Sequence, residues 1–219
     1  MGDLVMALPS LTDASKALPG LSFDWVVDRR FYEVPTWHPA VENVLITNHR
    51  SWRKAPFAAL TRAEFRSFYI QLKESEYDCI VDMHGNFKTA LLSLLARGRS
   101  AGFDGPSVPE WGSHLFYNKK CRVSKQIHSV EKNRDLMALS LGYTRPKSAP
   151  DYGLDLRLFS PLPLDLPPEY LVFVPMASYT SKLWPESNWI ELAKICQQND
   201  QSVVIPWGSN EDHQRALRI

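Results

Sequence analysis

The stretch YDCIVDMHGNFKTALLSLLA, residues 77–96, decides the fold class. Its first residues form a short run of strand-forming side chains, and the apolar segment 88–96 predicts a helix that ends at Gly98. A loop that contains Gly85 lies between the two. A strand that runs through such a loop into a helix is the repeating unit of open α/β sheets, and ligands bind at that loop.

The same alternation of strand and helix occurs on both sides of this stretch. Leu4, Leu8, Leu11 and Leu18 share one face of a predicted N-terminal helix, which Pro9 must kink or end within its first turn. Further strands are predicted at 23–27 and 41–46, and further helices after the Thr61 capping box and over 129–141, with Gly142 as the C′ residue. This order predicts βαβ crossovers, and therefore an α/β fold with a mostly parallel sheet covered on both faces.

A proline-rich segment divides the chain into two predicted domains. Six prolines lie between Tyr143 and Pro168, which suits an extended connection. We predict an N-terminal domain over 1–150, a linker over 151–168 and a second domain over 169–219. In the second domain, strands are predicted at 170–176 and 202–208, one helix begins at Pro185, and Ser209 is the N-cap of another, with Asp212 three residues on.

Composition excludes several classes of protein. The 219 residues are 44% hydrophobic and carry a net charge of +1, so the whole molecule has no field that attracts nucleic acid. Cys79, Cys121 and Cys196 are odd in number and lie in no CxxC spacing, which argues against disulfides and zinc sites. No segment has the length of a membrane helix or the pattern of a signal peptide. A reducing cytoplasm fits these features.

Asp3 is the first candidate for chemistry. It follows Gly2 at the start of a predicted helix, where a ligand can approach the backbone and a carboxylate can act as a general base. The alternative is a carboxylate that only interacts favourably with the helix dipole, and composition alone favours this alternative. Asp13, Asp24 and Asp28 are interpreted as ordinary carboxylates without a special role.

Basic residues are the second group of candidates. Arg50, Arg53 and Lys54 surround Trp52 and can bind phosphate or carboxylate groups, unless the segment is an ordinary solvated turn. Lys88, near a helix start, can face an anion. A further basic stretch, NKKCRVSKQIH (118–128), can form a nucleic-acid surface, but the chain has no motif of a nucleic-acid-binding fold.

Polar residues before the helix at Pro185 are the third group. Ser178, Thr180, Ser181 and Lys182 place hydroxyls and an ammonium group at a helix N-terminus, which suits a diphosphate; an ordinary polar loop is the alternative. Neither GxGxxG nor a P-loop is present, and no cluster with the spacing of metal ligands stands out among the scattered histidines.

Several stretches taken together resemble one enzyme family. They include MGDLVMALPSLTDA (1–14), YDCIVDMHGNFKTA (77–90), KQIHSVEKNRDLMALSLGY (125–143), KLWPESNWIEL (182–192) and PWGSNEDHQRA (206–216). They follow one another along nearly the whole chain, which resembles the ADP-heptose-dependent heptosyltransferases of glycosyltransferase family 9. The resemblance implies a GT-B fold with two Rossmann-like parallel-sheet domains.

The resemblance also implies a reaction. The implied reaction is transfer of a heptose from ADP-heptose to Kdo-lipid A in the lipopolysaccharide inner core, with inversion at the sugar carbon and without an obligatory metal. The implied location is the cytoplasmic face of the inner membrane of a Gram-negative bacterium, where the enzyme is peripheral, and no nucleic-acid partner is implied.

Individual residues match positions with roles in the family. Asp3 matches the general base. Four basic residues match the acceptor side, namely Arg50, Arg53, Lys54 and Lys88. Three residues match the donor side, namely Ser178, Lys182 and Asp212, whereas Ala177 stands where a donor-binding hydroxyl is expected.

The resemblance finally implies that the sequence is incomplete. Family members have a strand before Met-Gly-Asp and a donor-binding loop beyond position 219. We therefore expect an N-terminal domain without its first strand, a truncated C-terminal domain, and little or no transferase activity for residues 1–219 alone. The alternative function is that of an acceptor-binding module without a donor site.

Overall fold

The computed structural model describes residues 1–48, 63–159, 164–177 and 179–219. Within it the chain divides into two compact units, Met1–Phe159 and Ser160–Ile219. The division falls inside the segment 151–168, for which we predict a linker. The two units are described separately below.

Unit 1 alternates helices and strands. Its helices are α1 (Gly2–Val5), α2 (Leu8–Ala17), α3 (Glu33–Thr36), α4 (Ala63–Glu74), α5 (Phe87–Leu95) and α6 (Ser129–Leu141). Its strands are β1 (Phe23–Asp28), β2 (Val41–Thr47), β3 (Glu76–Val81), β4 (Arg97–Phe103) and β5 (Lys119–Cys121). Short 3-10 helices lie at Arg29–Phe31, Ser113–Phe116 and Leu156–Leu158.

Proline and glycine set two helix ends as the sequence predicts. The N-terminal helix is interrupted after Val5, and Pro9 lies in the first turn of α2, where its missing N–H breaks no helical hydrogen bond. Helix α6 ends at Leu141, and Gly142 follows with φ +81°, a left-handed conformation that favours glycine. Both predictions are confirmed.

The strands of unit 1 are parallel, which confirms the α/β class. β1 pairs with β2, and β3 pairs with β4, which pairs with β5. The described strands thus form two separate sheets, whereas the sequence predicts one. A side-chain hydrogen bond joins the sheets, because the Tyr77 hydroxyl donates to Asp24 Oδ2 at 2.9 Å.

Apolar clusters join the helices to the strands, and two of them show how the strands are covered. On one side Leu11 and Ala14 of α2 and Met137 of α6 pack with side chains from both sheets, including Trp25 and Val81. A second cluster, formed by Leu45, Phe68 and Leu72, joins β2 to α4 and packs against residues of β1 and α5. Both clusters include residues from helices and strands, and helices therefore cover the strands as an α/β fold requires.

Strands β4 and β5 are absent from the sequence prediction. Glycine and arginine in RGRSAGF (97–103) indicate a loop, yet the segment is a strand because it is enclosed by its neighbours. A Cβ at Gly98 would lie 2.3 Å from the carbonyl oxygen of Tyr77, and one at Gly102 would lie 2.4 Å from the Tyr117 ring. Both glycines therefore mark close approaches within a strand.

A buried ion pair joins α2 to α6. Arg134 Nε donates to Asp13 Oδ2 at 2.6 Å, and both side chains are almost inaccessible to solvent. The hydrogen bond with Asp13 raises the pKa of Arg134, so the guanidinium stays charged. The interpretation of Asp13 as an ordinary carboxylate is therefore wrong, because its partner lies 121 residues away in the sequence.

The same guanidinium fastens the segment after α6. Arg134 Nη2 donates to the carbonyl oxygens of Pro146 and Ser148, at 3.2 and 3.0 Å. Farther along, Gly153 packs so closely against His38 that an added Cβ would lie 2.5 Å from His38 Nε2. Burial lowers the pKa of His38, although the charge of Asp151 opposes that shift. The segment up to Phe159, which meets Trp37 edge to face, thus belongs to unit 1.

Unit 2 contains a short parallel pair of strands. Its elements are β6 (Leu171–Val172), α7 (Glu186–Gln198), β7 (Val203–Val204) and α8 (Asn210–Ala216), with a 3-10 helix at Thr180–Lys182. Trp189 of α7 packs against Phe173 and Trp184, with ring centroids 5.0 and 5.1 Å apart. Cys79, Cys121 and Cys196 are free thiols in the described residues.

The ion pair leads to a stability prediction. Arg134→Met leaves the Asp13 carboxylate buried without its cation, and we expect the free energy of unfolding from urea denaturation to fall by about 3–5 kcal/mol. The matched control is Lys16→Met, which breaks the exposed pair of Lys16 with Asp151 and is expected to cost about 1 kcal/mol or less. Equal losses in the two variants would contradict this account of the core.

Candidate active site

The loop after β3 is organised by a buried carboxylate. Asp82 directly follows the strand, and its Oδ1 accepts hydrogen bonds from the backbone N–H groups of His84 and Gly85, at 2.9 and 3.1 Å. The Tyr117 hydroxyl donates to Oδ2 at 2.6 Å. Three donors thus compensate the burial of this carboxylate and fix the direction in which the chain leaves the sheet.

The tyrosine in this group remains a donor. Burial raises the pKa of Tyr117, and the charge of Asp82 and the hydrogen bond to it raise the pKa further. The hydroxyl therefore stays protonated throughout the neutral range. Tyr117 lies just before β5, so its hydrogen bond ties the end of β3 to the connection between β4 and β5.

The connection between β4 and β5 is held over the loop after β3. Gly85 has φ +69°, and a Cβ there would lie 2.7 Å from Pro109 Cδ. The hydroxyl of Ser113 donates to the Gly85 carbonyl oxygen at 2.9 Å, and the backbone N–H of Glu110 donates to the same oxygen at 3.3 Å. The two loops therefore form one packed edge of unit 1.

Lys88 is presented at this edge. Helix α5 begins with a reciprocal capping box, in which Asn86 accepts from the backbone N–H of Thr89 and the Thr89 hydroxyl accepts from that of Asn86. Lys88 lies in the first turn of α5 and is exposed, which agrees with the predicted position near a helix start. Its ammonium group is thus available to an anion.

Asp3 is exposed in the first turn of α1. Among the described residues, none donates a hydrogen bond to its carboxylate or pairs with it. The connection from α1 to α2 is held by Asn133, whose amide donates to the Met6 carbonyl oxygen at 3.0 Å. Ser10, in α2, lies 3.9 Å from the sulfur of Met83, so the start of α2 contacts the loop that follows Asp82.

The donor-side candidates belong to unit 2. Lys182 closes the 3-10 helix after β6, is exposed, and holds its ammonium nitrogen 5.6 Å from the centre of the Tyr179 ring. Asp212 lies in the first turn of α8, and its N–H donates to the Ser209 hydroxyl at 3.1 Å, which confirms the predicted N-cap. Because β6 and β7 are parallel neighbours, the loops that carry these residues leave the same edge of the sheet.

Some predicted site residues cannot be placed. Arg50, Arg53, Lys54 and Ser178 lie outside the described residues. The structure brings Asp82, Tyr117 and Ser113 together, which the sequence analysis does not predict as site residues. The available signal is an acidic residue that directly follows a predicted strand and lies three residues before a glycine.

The described ranges show neither a metal-binding cluster nor a membrane span. No group of three or more His, Cys, Asp or Glu side chains within them is placed to hold a metal ion. Likewise, none of the helices described in them is long and apolar enough to cross a membrane.

Comparison with known proteins gives concordant matches. The sequence profile of glycosyltransferase family 9 (heptosyltransferase) matches residues 65–219. Lipopolysaccharide heptosyltransferase 1 of Escherichia coli strain K12 is 40% identical over 220 residues, an alignment that covers 100% of this chain and 69% of the relative. The chain therefore spans about two thirds of the length of that relative.

Solved structures of E. coli heptosyltransferase WaaC are similar to this chain along 99% of its length. The structure with ADP has a TM-score of 0.89 and 39% identity, and 68% of its chain is covered. The structure with ADP-2-deoxy-2-fluoro heptose has a TM-score of 0.90 and 40% identity, and 69% of its chain is covered. The GT-B-like fold implied by the resemblance is confirmed.

The packed edge of unit 1 leads to a test at Gly85. Gly85→Ala places a Cβ on a residue with a left-handed backbone and brings that Cβ too close to Pro109. We therefore expect the free energy of unfolding in urea to fall by about 2–4 kcal/mol. Gly20→Ala is the control, since Gly20 has φ +85° but open space around it. This variant should lower the free energy of unfolding by about 1 kcal/mol. If both variants lose the same amount, the contact with Pro109 does not constrain the loop.

Proposed function

The chain belongs to glycosyltransferase family 9, the heptosyltransferases, and we propose that it transfers a heptose from ADP-heptose to Kdo-lipid A. The observation that carries this proposal is the 40% identity, over the whole chain, to lipopolysaccharide heptosyltransferase 1 of E. coli. The similarity to WaaC structures with ADP and with a fluorinated ADP-heptose supports ADP-heptose as the donor. The reaction adds a heptose to the lipopolysaccharide inner core.

The proposed reaction inverts the configuration at the sugar carbon. An acceptor hydroxyl attacks that carbon from the face opposite the departing ADP, and a base on the acceptor side takes the hydroxyl proton. Asp3 is the proposed base, because its exposed carboxylate has no hydrogen-bond donor among the described residues and remains free to accept a proton.

The acceptor side is proposed to bind acidic groups through basic residues. Lys88 carries an exposed ammonium group in the first turn of α5, where the helix dipole also favours an anion. Its partners would be the carboxylate and phosphate groups of Kdo-lipid A. Arg50, Arg53 and Lys54 are proposed for the same role from the resemblance alone.

The donor side is proposed to bind the nucleotide diphosphate. Lys182 supplies a positive charge beside the leaving ADP, Ser178 supplies a hydroxyl, and Asp212 lies on the nucleotide side. A lysine that neutralises the diphosphate charge can replace a divalent cation in this role. We therefore propose that the transfer needs no bound metal ion.

The acceptor determines the proposed location. A lipid acceptor stays in the membrane, so the enzyme must act at the membrane surface, and we propose peripheral association with the cytoplasmic face of the inner membrane. No nucleic-acid partner is proposed.

The proposed base is tested by Asp3→Asn. Asparagine keeps the size of the side chain but cannot accept the proton at neutral pH, so we expect heptose transfer by the full-length protein to fall by roughly 100-fold or more. Binding of ADP-heptose, measured by isothermal titration calorimetry, should remain unchanged. The control is Glu33→Gln, which removes another exposed carboxylate of unit 1 and should leave transfer at its original rate.

Two outcomes would contradict the proposal. Near-normal transfer by Asp3→Asn would exclude this residue as the base. A chain that binds Kdo-lipid A but neither binds ADP-heptose nor transfers heptose would instead be an acceptor-binding module.

The donor side is tested by Lys182→Met. Loss of a charge-assisted contact to the diphosphate should weaken ADP binding by about 10–100-fold, measured by calorimetry. Lys194→Met is the control, because Lys194 is an exposed lysine of the same unit that pairs with Glu191. Equal ADP affinity in the two variants would exclude Lys182 from the donor site. The proposal that transfer needs no metal ion is tested separately: loss of transfer in excess EDTA would contradict it.

A further inference from the structure

Helix α5 exposes an apolar face. Phe87, Leu91 and Leu94 recur at the spacing of one helical face, and their exposed fractions are 39%, 50% and 51%. The opposite side of the helix is occupied, since Ala90 and Ser93 are buried and Leu92 and Leu95 pack against the cluster of Phe68. Lys88 is the one charged residue of α5. A surface helix ordinarily places polar residues outward, so this exposed face requires an explanation.

The connection between β4 and β5 extends this face. The Phe87 ring meets Phe116 edge to face, with centroids 6.1 Å apart, and a Cβ at Gly112 would lie 2.9 Å from Phe87 Cζ. On the same connection Trp111 and Leu115 are 79% and 66% exposed. We call the five residues Phe87, Leu91, Leu94, Trp111 and Leu115 the apolar surface.

This surface is held by specific contacts. The backbone N–H of Phe87 donates to Glu110 Oε2 at 3.0 Å, which fixes the connection to the first turn of α5. Trp111 packs edge to face on the His114 ring, at 6.2 Å between centroids. The exposed indole therefore lies on a constrained segment. A partner can bind its apolar area without the loss of conformational entropy that ordering the backbone would require.

The segment that carries this surface is basic, which favours an anionic partner. Residues 84–125 contain seven Lys and Arg and two Asp and Glu, a net charge of +5 in a chain whose total is +1. The two acidic residues are engaged, because Asp104 Oδ2 lies 3.7 Å from Arg122 Nε and Glu110 accepts from the Phe87 N–H. Of the basic residues, Arg122 pairs in this way with Asp104, and Arg97 pairs with Glu76. Exposed apolar side chains that include tryptophan, within a basic segment, are typical of surfaces that bind anionic bilayers.

We propose that the apolar surface inserts into the interface of an anionic lipid bilayer. The proposal rests on the proposed function in one respect: Lys88, assigned there to the acceptor, lies in the same helical turn as Phe87. A membrane-embedded acceptor would then reach Lys88 without leaving the bilayer. Trp111 and Leu115 contribute apolar area to the membrane contact, and the basic residues add attraction that salt weakens.

The test is flotation of the purified chain with lipid vesicles. Vesicles of phosphatidylglycerol and phosphatidylcholine in equal parts should bind the protein, and vesicles of phosphatidylcholine alone should bind it less. The variant W111S/L115S should lose about 10-fold or more of the binding to the anionic vesicles, since both side chains leave the bilayer contact. The second variant, L91Q/L94Q, should also bind the anionic vesicles more weakly than the unchanged protein.

The matched control is L156S/L158S. The exposed fractions of Leu156 and Leu158 are 76% and 60%, similar to those of Trp111 and Leu115. Both leucines lie in the 3-10 helix near the end of unit 1, outside the apolar surface. This variant should bind the vesicles as the unchanged protein does. Circular dichroism of each variant checks that the fold is retained.

Three results would overturn the proposal. The first is failure of the unchanged chain to bind either kind of vesicle. The second is equal loss in W111S/L115S and L156S/L158S, which would mean that another surface binds lipid. The third is self-association in sedimentation equilibrium that W111S/L115S abolishes, which would make the surface an interface between copies of the chain.

Vesicle binding is measured without donor or acceptor, so it does not depend on heptose transfer. If the proposed function fails and this proposal holds, the full-length protein binds vesicles without transferring heptose. If only this proposal fails, W111S/L115S retains both vesicle binding and transfer to Kdo-lipid A. If both hold, W111S/L115S transfers heptose at the original rate to an acceptor without acyl chains and more slowly to Kdo-lipid A in vesicles.

Discussion

The buried carboxylate of Asp82 is the interaction on which the packed edge of unit 1 depends. It lies where β3 ends, and its three donors come from two different loops. A buried carboxylate with unmet hydrogen-bonding capacity is strongly disfavoured, so the backbone of His84 and Gly85 and the Tyr117 hydroxyl are held in place together. This arrangement determines the position of Lys88 and of the connection between β4 and β5.

Local signals in the sequence predict much of the framework. Gly142 marks the end of α6 because only a residue that tolerates positive φ fits there, and Ser209 marks the start of α8 because its hydroxyl accepts from the Asp212 N–H. Strand β4 is not predictable in this way. Its glycines are typical of loops. They are required because Tyr77 and Tyr117 approach the strand closely, and this approach exists only in the folded chain.

The candidate site shows the same division. Asp3, Lys88, Lys182 and Asp212 are predicted because they match family positions beside recognisable helix starts. The role of Tyr117 is not predicted, because its partner Asp82 lies 35 residues away and no local pattern connects the two. Candidate substrate-binding residues beside helix starts are thus easier to predict from this sequence than the residues that position the loops carrying them.

The buried pair of Asp13 and Arg134 has a consequence for how this sequence can change over time. Neutral replacement of Arg134 leaves the Asp13 carboxylate buried without its cation, and neutral replacement of Asp13 leaves the buried Arg134 with Glu131 alone as its ion-pair partner. An apolar pair of similar volume removes both charges, but it also removes the hydrogen bonds to Pro146 and Ser148, and it is separated from the present pair by an unstable intermediate sequence. The two codons, far apart in the gene, are therefore expected to evolve as one unit.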